Sequence, residues 1–447
     1  MNRRSSNLNV SRRTLVTGSA ALGASVAGAR VFPGLAQTAS PVASPGASPV
    51  ASPAASAPPS VVAERATGAV RLTGFGDEIQ QNIVRTVLEG FATEYPNIQV
   101  SYEPVAAEYL VKIQADIAAG NVADVFMVQN EYSQDFMSRN VLLAIDDYMA
   151  EDSITADMFY EPLVNAYTWQ GALYGLPKDW SPIGAVYNPG ALESAGVSMP
   201  TTWDELRSTL QTLLDANGQP ALALDPSFDR FVIFLYQAGG SITNEEVTAI
   251  ALDSEEATQA LEFYYGLYRD GLSATAADIG AGWPGDAFIQ GLTSMVFEGN
   301  WMFPALEQNA PDKPFEVAEL PEGPAGPGTP AFTNSYSIFA GSQNPDAAWV
   351  LVNYLTNVEG ARAALPSGLA LPALRSLESE FLTLFPERAP YLAAGAYATA
   401  VQYGPGGQTF ATDANAALQS LFAGQIDVAE AQAQIVTAAQ NNIQLTG

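Results

Sequence analysis

The sequence predicts an α/β protein of two lobes, each built on a mostly parallel sheet and joined by a hinge. Three observations carry this expectation. Residues 70–128 alternate strand and helix patterns as βαβαβ. Short apolar strands return in the second half, at Ala221–Leu224 and Ser294–Phe297. At 447 residues the chain is too long for one ordinary core.

The elements follow in order. Val70–Phe75 reads as a strand with Gly74 and Gly76 at its end. Ile79, Ile83, Val87, Leu88 and Phe91 then recur at helical spacing until Pro96. Ile98, Val100 and Tyr102 alternate as a strand, and Leu110, Ile113 and Ile117 mark a helix closed by Gly120. Val122–Val128 is mostly apolar, as in a strand buried on both faces. Strands joined in this way by helices pair in parallel, with right-handed crossovers.

The stretch Trp169–Leu206 reads as a strand ending at Pro177, a polar and aromatic crossing Lys178–Pro182, and a strand Ile183–Tyr187. Thr202 with Glu205 makes a capping-box pattern at a helix start. Trp203 there, and Trp349 on the helix opened by Asn344-Pro345, sit on apolar faces and are expected in cores. Helices are expected near Asp413–Phe422 and Val428–Ile443, and Pro321–Pro330 and Pro366–Pro372 read as connectors.

Composition narrows the chemistry. The chain has no Cys and no His, which excludes thiol nucleophiles, Ser-His-Asp triads and zinc sites of the usual kind. Its three lysines, Lys112, Lys178 and Lys313, lack the phosphate-loop context. A net charge of −29 repels nucleic acid and anionic membrane surfaces, and otherwise serves solubility. No cofactor is expected.

Residues 1–36 read as a twin-arginine-type export signal, with Arg12-Arg13 before a mild Ala/Gly/Leu/Val run too short and interrupted for a permanent span. Without Cys there is no lipobox, so no lipid anchor is expected at the mature N-terminus. Residues 37–66 hold Ala-Ser-Pro repeats and are expected to form a disordered, partly polyproline linker.

In open α/β sheets ligands sit beyond the carboxyl ends of strands. That rule selects Asp77 and Glu78 after the first strand, and Asn130 and Glu131 after the third. It also selects Asp179 and Trp180 in the crossing, and Asn300 and Trp301 after the strand ending at Phe297. Carboxylates accept pairs of hydroxyl groups and aromatic faces cover apolar C–H patches. Trp283, in a Gly/Pro loop, and Asn334, before a strand, are further candidates.

Four blocks coincide: GFATEYPNIQV…KIQADIAAGNVADVFMV, the stretch Trp169–Leu206, DAFIQGLTSMVFEGNW, and NSYSIFAGSQNPDAAWVLVNYLT. In order and spacing they resemble the sugar-binding proteins of ABC importers of the maltose-binding type, over roughly residues 70–445. The resemblance implies a type II periplasmic-binding-protein fold. Its lobes would be 67–178 with 329–366, and 179–328 with 367–447.

It further implies that Glu131 is a sugar-binding acid and Trp301 a stacking aromatic. Asp77 and Glu78 match the polar pair after the first strand, Asp179-Trp180 the crossing position, and Tyr403 an aromatic near the C-terminus. The implied protein is no enzyme: an exported monomer, periplasmic or at the cell surface, carrying a sugar or oligosaccharide to ABC permease subunits. A polyamine or other cationic solute is the alternative ligand. A secreted glycosidase with paired carboxylates is the remaining alternative.

Overall fold

The computed structural model describes residues 59–76, 78–244 and 246–446. The export signal, all but the end of the Ala-Ser-Pro segment, and Asp77 lie outside the described residues.

The folded part begins at Ser60, earlier than expected. A turn at Val62–Glu64 is docked on the body, with Val62 fully buried. Asp152 causes this. One carboxylate oxygen accepts from Ser60 Oγ at 2.6 Å, Trp349 Nε1 at 2.7 Å and Asn353 Nδ2 at 3.0 Å. The other accepts from the amides of Val61 and Val62 at 2.7 and 3.3 Å. Residues 60–66 therefore belong to the folded body and not to the linker.

Strands β1 (Gly68–Phe75), β2 (Ile98–Val105) and β3 (Val125–Gln129) alternate with helices Glu78–Glu94 and Tyr109–Ala119 and pair in parallel. Next come a tight hairpin of β4 (Thr168–Trp169) and β5 (Ala172–Leu173), turned at Gln170 and Gly171, both at positive φ. The long strand β6 (Leu176–Pro182) follows. The second lobe holds β7 (Gly184–Tyr187), β8 (Leu222–Ala223), β9 (Ser273–Ala274), β10 (Met295–Glu298) and β11 (Glu316–Ala318). The chain returns as β12 (Thr329–Ile338), β13 (Leu371–Pro372) and β14 (Ala398–Ala400).

The first sheet has the order β13-β6-β12-β3-β1-β2, with β14 beside the start of β12; the second has β11-β7-β10-β8-β9. Parallel pairing is concentrated in the βαβ blocks, β2-β1-β3 and β10-β8-β9. Antiparallel pairing joins β3-β12-β6-β13 and β10-β7-β11, while β14 pairs with β12 in parallel.

Two expectations about the crossings are corrected. The strand before the first crossing does not end at Pro177. It runs to Pro182 because β12 on one side and β13 on the other supply backbone partners, and only Ile183 separates it from β7. Residues 367–400, expected in the second lobe, contribute β13 and β14 to the first sheet. The last passage between lobes lies near Val401–Tyr403, where both side chains join the second lobe's core.

Trp203 and Trp349 are core residues, as their apolar faces predict. Trp203 stacks on Phe263 at 4.1 Å and donates to Gln237 Oε1 at 2.7 Å. Its helix, Trp203–Asn217, starts at Thr202, whose hydroxyl accepts from the Glu205 amide at 3.3 Å. The Glu205 carboxylate reaches back to the Thr201 amide at 2.8 Å, one residue before the cap. Thr202→Ala should therefore cost about 1 kcal/mol in urea unfolding. A loss below a few tenths would show that Thr201 and Glu205 hold the end alone.

Candidate functional site

A deep cleft separates the lobes. Its floor is the carboxyl-end rim of β1, β3 and β6, with Phe332, Thr333 and Asn334 of β12 beside them. The facing wall carries Asp229 and Arg230, from the first turn of helix Phe228–Gln237, and Trp301. One end of the cleft holds about 370 Å³ and contains Asp179, Arg230, Trp301 and Asn334. The other holds about 650 Å³ and runs past Tyr109, Tyr403 and Gln408. Glu131 and Asp229 line both.

A bulge shapes the floor. Asp179 pairs with Asn334 and Pro177 with Ser335, leaving Lys178 as the extra residue on β6. A bulge re-aims side chains, and here Lys178 and Asp179 both line the cleft and ion-pair with each other. Asn334 donates to Asp179 Oδ1 at 3.0 Å. Beyond the bulge, strand alternation turns Trp180 to the other face. Its ring is only 2 % exposed, packs on Tyr160 at 4.9 Å and donates to the Pro372 carbonyl at 3.2 Å. Trp180 thus borders the cleft but its ring serves the core.

At the Trp301 end of this cleft three buried polar atoms have no hydrogen-bond partner among the described residues: Glu131 Oε2, Asn334 Oδ1 and Arg230 Nε. Glu131 lies in the first turn of helix Asn130–Ser138. The residue is partly buried and lines both ends of the cleft. Burial, aided by Asp229, pushes its carboxyl up to about 8. Asp229 in turn accepts a hydrogen bond from the Tyr403 hydroxyl.

Arg230 meets the fully buried Glu298 at 2.6 Å, and Trp301 Nε1 donates to the other Glu298 oxygen at 2.9 Å. The Trp301 ring stands edge-on to Phe332 at 5.6 Å. Trp301 is therefore tied into the second lobe as well as lining the cleft.

The remaining candidates are placed differently. Asn130 is wholly buried and commits its amide to backbone: it donates to Ala331 and Val401 carbonyls at 3.1 and 2.6 Å and accepts from the Thr333 amide at 2.9 Å. It ties β12 to the last passage between lobes. Asn300 is likewise buried, joined to Ser181 and Gly368. Tyr403 packs edge-on to Phe228 and Phe410, is 4 % exposed, and reaches the cleft as Asp229's donor.

Glu78 is exposed at the start of its helix, where a negative charge suits the helix dipole, and does not line the cleft. Trp283 does not line it either. Pro284 starts a helix there, and the Trp283 ring folds back over Gly285 onto the core. Asp229 and Arg230 escaped the sequence reading. The signal was present, as a charged pair inside the otherwise apolar run FDRFVIFL.

The profile of the bacterial extracellular solute-binding proteins matches residues 73–362, well over half of the chain. The chain belongs to this family. Among curated relatives, a putative binding protein of Brucella abortus (strain 2308) is 27 % identical over 283 residues, 60 % of this chain and 67 % of that one.

Solved structures similar to this solute-binding protein include an ABC substrate-binding protein from Listeria monocytogenes in complex with cycloalternan. It has a TM-score of 0.76 and 21 % identity, covering 84 % of this chain and 98 % of that one. The GacH receptor of Streptomyces glaucescens, solved unliganded and with acarbose, has a TM-score of 0.74 and 23 % identity over the same shares. The fold of this solute-binding protein is accordingly that of the type II periplasmic binding proteins, two α/β lobes around a cleft.

Proposed function

We propose that the protein captures a sugar or short oligosaccharide between its lobes and delivers it to the permease subunits of an ABC importer. The observation that carries this reading is the set of unpartnered polar atoms on Glu131, Asn334 and Arg230 beside the aromatic surfaces of Trp301 and Phe332. Neutral polyols need buried donors and acceptors together with an apolar face. Asp179 supplies a further acceptor. Proteins of the same fold solved in complex with cycloalternan and with acarbose support the reading.

On this reading Asp179, Glu131, Arg230, Asn334 and Trp301 touch the ligand, while Asn130 and Trp180 hold the floor behind them. The protein carries out no reaction. It acts as a monomer outside the cytoplasmic membrane, exported through the Arg12-Arg13 signal. A polyamine fits less well, because Lys178 and Arg230 line the same cleft as the acids and would repel it.

The test is a calorimetric screen of maltose, maltotriose, acarbose and monosaccharides, with spermidine and putrescine as controls. Binding by sugars alone is expected; binding by polyamines alone would overturn the assignment. Trp301→Ala should weaken sugar binding by about 1–3 kcal/mol through lost stacking area. It should also lower the unliganded protein's stability by about 1 kcal/mol, since a Glu298 oxygen loses the closer of its two donors. Unchanged affinity would remove Trp301 from the site.

A further inference from the structure

A second, smaller space opens off the cleft. It holds about 70 Å³ and lies wholly within the first lobe, between the face of the first sheet, helix Glu78–Glu94 and helix Val358–Ala364. Its depths are walled by Val84, Val87, Leu355 and Leu365. Phe75, Met127, Leu369 and Ala370 line both this chamber and the cleft, as does the Lys178–Asp179 pair. The lining not shared with the cleft is mostly apolar, with Tyr336 and Ser367 as its polar residues.

Two features keep the chamber open. Ala361 and Ala364 present only methyl groups from their helix. Gly74 lets Met127 lie across the sheet, because a Cβ there would come within 2.6 Å of the Met127 sulfur. Apolar walls offer a water molecule few of the two to four partners it needs. A sealed void of this size would be a packing defect, but this one shares its lining with the binding cleft. Since every wall belongs to one lobe, lobe closure neither makes nor destroys it.

We propose that the chamber is a subsite for a short apolar substituent, about three carbons long, carried by the ligand whose polar part occupies the cleft. The size follows from scale: an apolar cavity of about 150 Å³ takes the six carbons of benzene, so 70 Å³ takes about three. This rests on the sugar reading of the cleft. The ligand class is then an alkyl glycoside, or a sugar bearing a small acyl or alkyl group.

The experiment uses the intact protein and two kinds of probe. In the first, methionine methyl groups are ¹³C-labelled and 1-propanol is titrated in; the Met127 resonance is expected to move saturably. Ala361→Leu, and separately Ala364→Leu in case one variant folds poorly, should abolish that movement. In the second, calorimetry compares maltose with its methyl, ethyl, propyl and pentyl glycosides. Affinity should rise about four-fold per added methylene, the equivalent of ~0.8 kcal/mol. The rise should stop at propyl and vanish in the filled variants, with maltose affinity unchanged.

A Met127 methyl indifferent to propanol, or equal affinities for methyl and propyl maltoside while maltose binds, would overturn the proposal. If neither maltose nor its glycosides bind, maltose is not the cleft's sugar, and the propanol titration alone decides the chamber.

Discussion

Arg230→Met is expected to destabilise the protein by about 3–5 kcal/mol in urea unfolding, because it strands a buried charge. Glu298, at the end of β10, has no exposed surface. Its carboxylate is compensated by the Arg230 guanidinium at 2.6 Å, Trp301 Nε1 at 2.9 Å and the Gly299 amide at 3.3 Å. Removing the cation leaves two neutral donors facing a full negative charge in a site that water does not reach. Adding Glu298→Gln should recover most of the loss, since the amide oxygen still accepts from Trp301 and carries no charge. That recovery, a coupling of at least 2 kcal/mol in the double-mutant cycle, is the diagnostic. Additive losses would mean that the pair is not coupled as its geometry implies. Because Arg230 Nε also lines the cleft without a partner, the double variant should fold well yet bind sugar more weakly.

The second large effect is a pH dependence centred on Glu131. Its carboxyl titrates near 8 in the folded protein, against an ordinary value of 4.5. Between these two values the folded chain holds a proton that the unfolded chain has released. Stability from this group is therefore fully present below about pH 4.5, falls as pH rises towards 8, and is constant above. The full span is up to about 5 kcal/mol. A chain with a net charge of −29 has other pH-dependent contributions, so the comparison is with Glu131→Gln. The variant should gain on the wild type steadily from pH 5 to 8.5 and be the more stable at the upper end. Parallel stability profiles would show that Glu131 is hydrated and normal. The facing groups on other elements are Asp229 and Tyr403 of the second lobe, so separating the lobes admits water and lowers the pKa. High pH should accordingly favour the open arrangement and weaken sugar binding.

The βαβαβ start was legible because its two helices are apolar at helical spacing and stop at Pro96 and Gly120, while its third strand is a continuous apolar run. The cleft positions of Glu131 and Trp301 were legible because they lie two and three residues past the ends of buried strands. Other features depend on partners distant in sequence. Pro177 looks like a strand end, yet β12 and β13, which carry β6 on to Pro182, lie more than 140 residues downstream. β13 is two residues long and carries no pattern, so the late passage near Val401 could not be read from Pro366–Pro372. Trp180 looked like a ligand aromatic because a bulge at Lys178 is invisible in one strand alone; it shifts by one which residues face the cleft. Asp229 was hidden in a helix whose first turn meets the cleft only after the second lobe folds.

The clamp at Asp152 has a mechanical consequence. Ser60–Val62 is riveted to the first lobe by three hydrogen bonds to one carboxylate, which Trp349 and Asn353 hold in place by two more. A pull on that end loads the rivet and the Trp349 helix beneath it, not the three passages between lobes. The first lobe then acts as the fixed jaw of the clamp and the second as the swinging one, so a leash on the protein leaves the stroke of its jaws unspent.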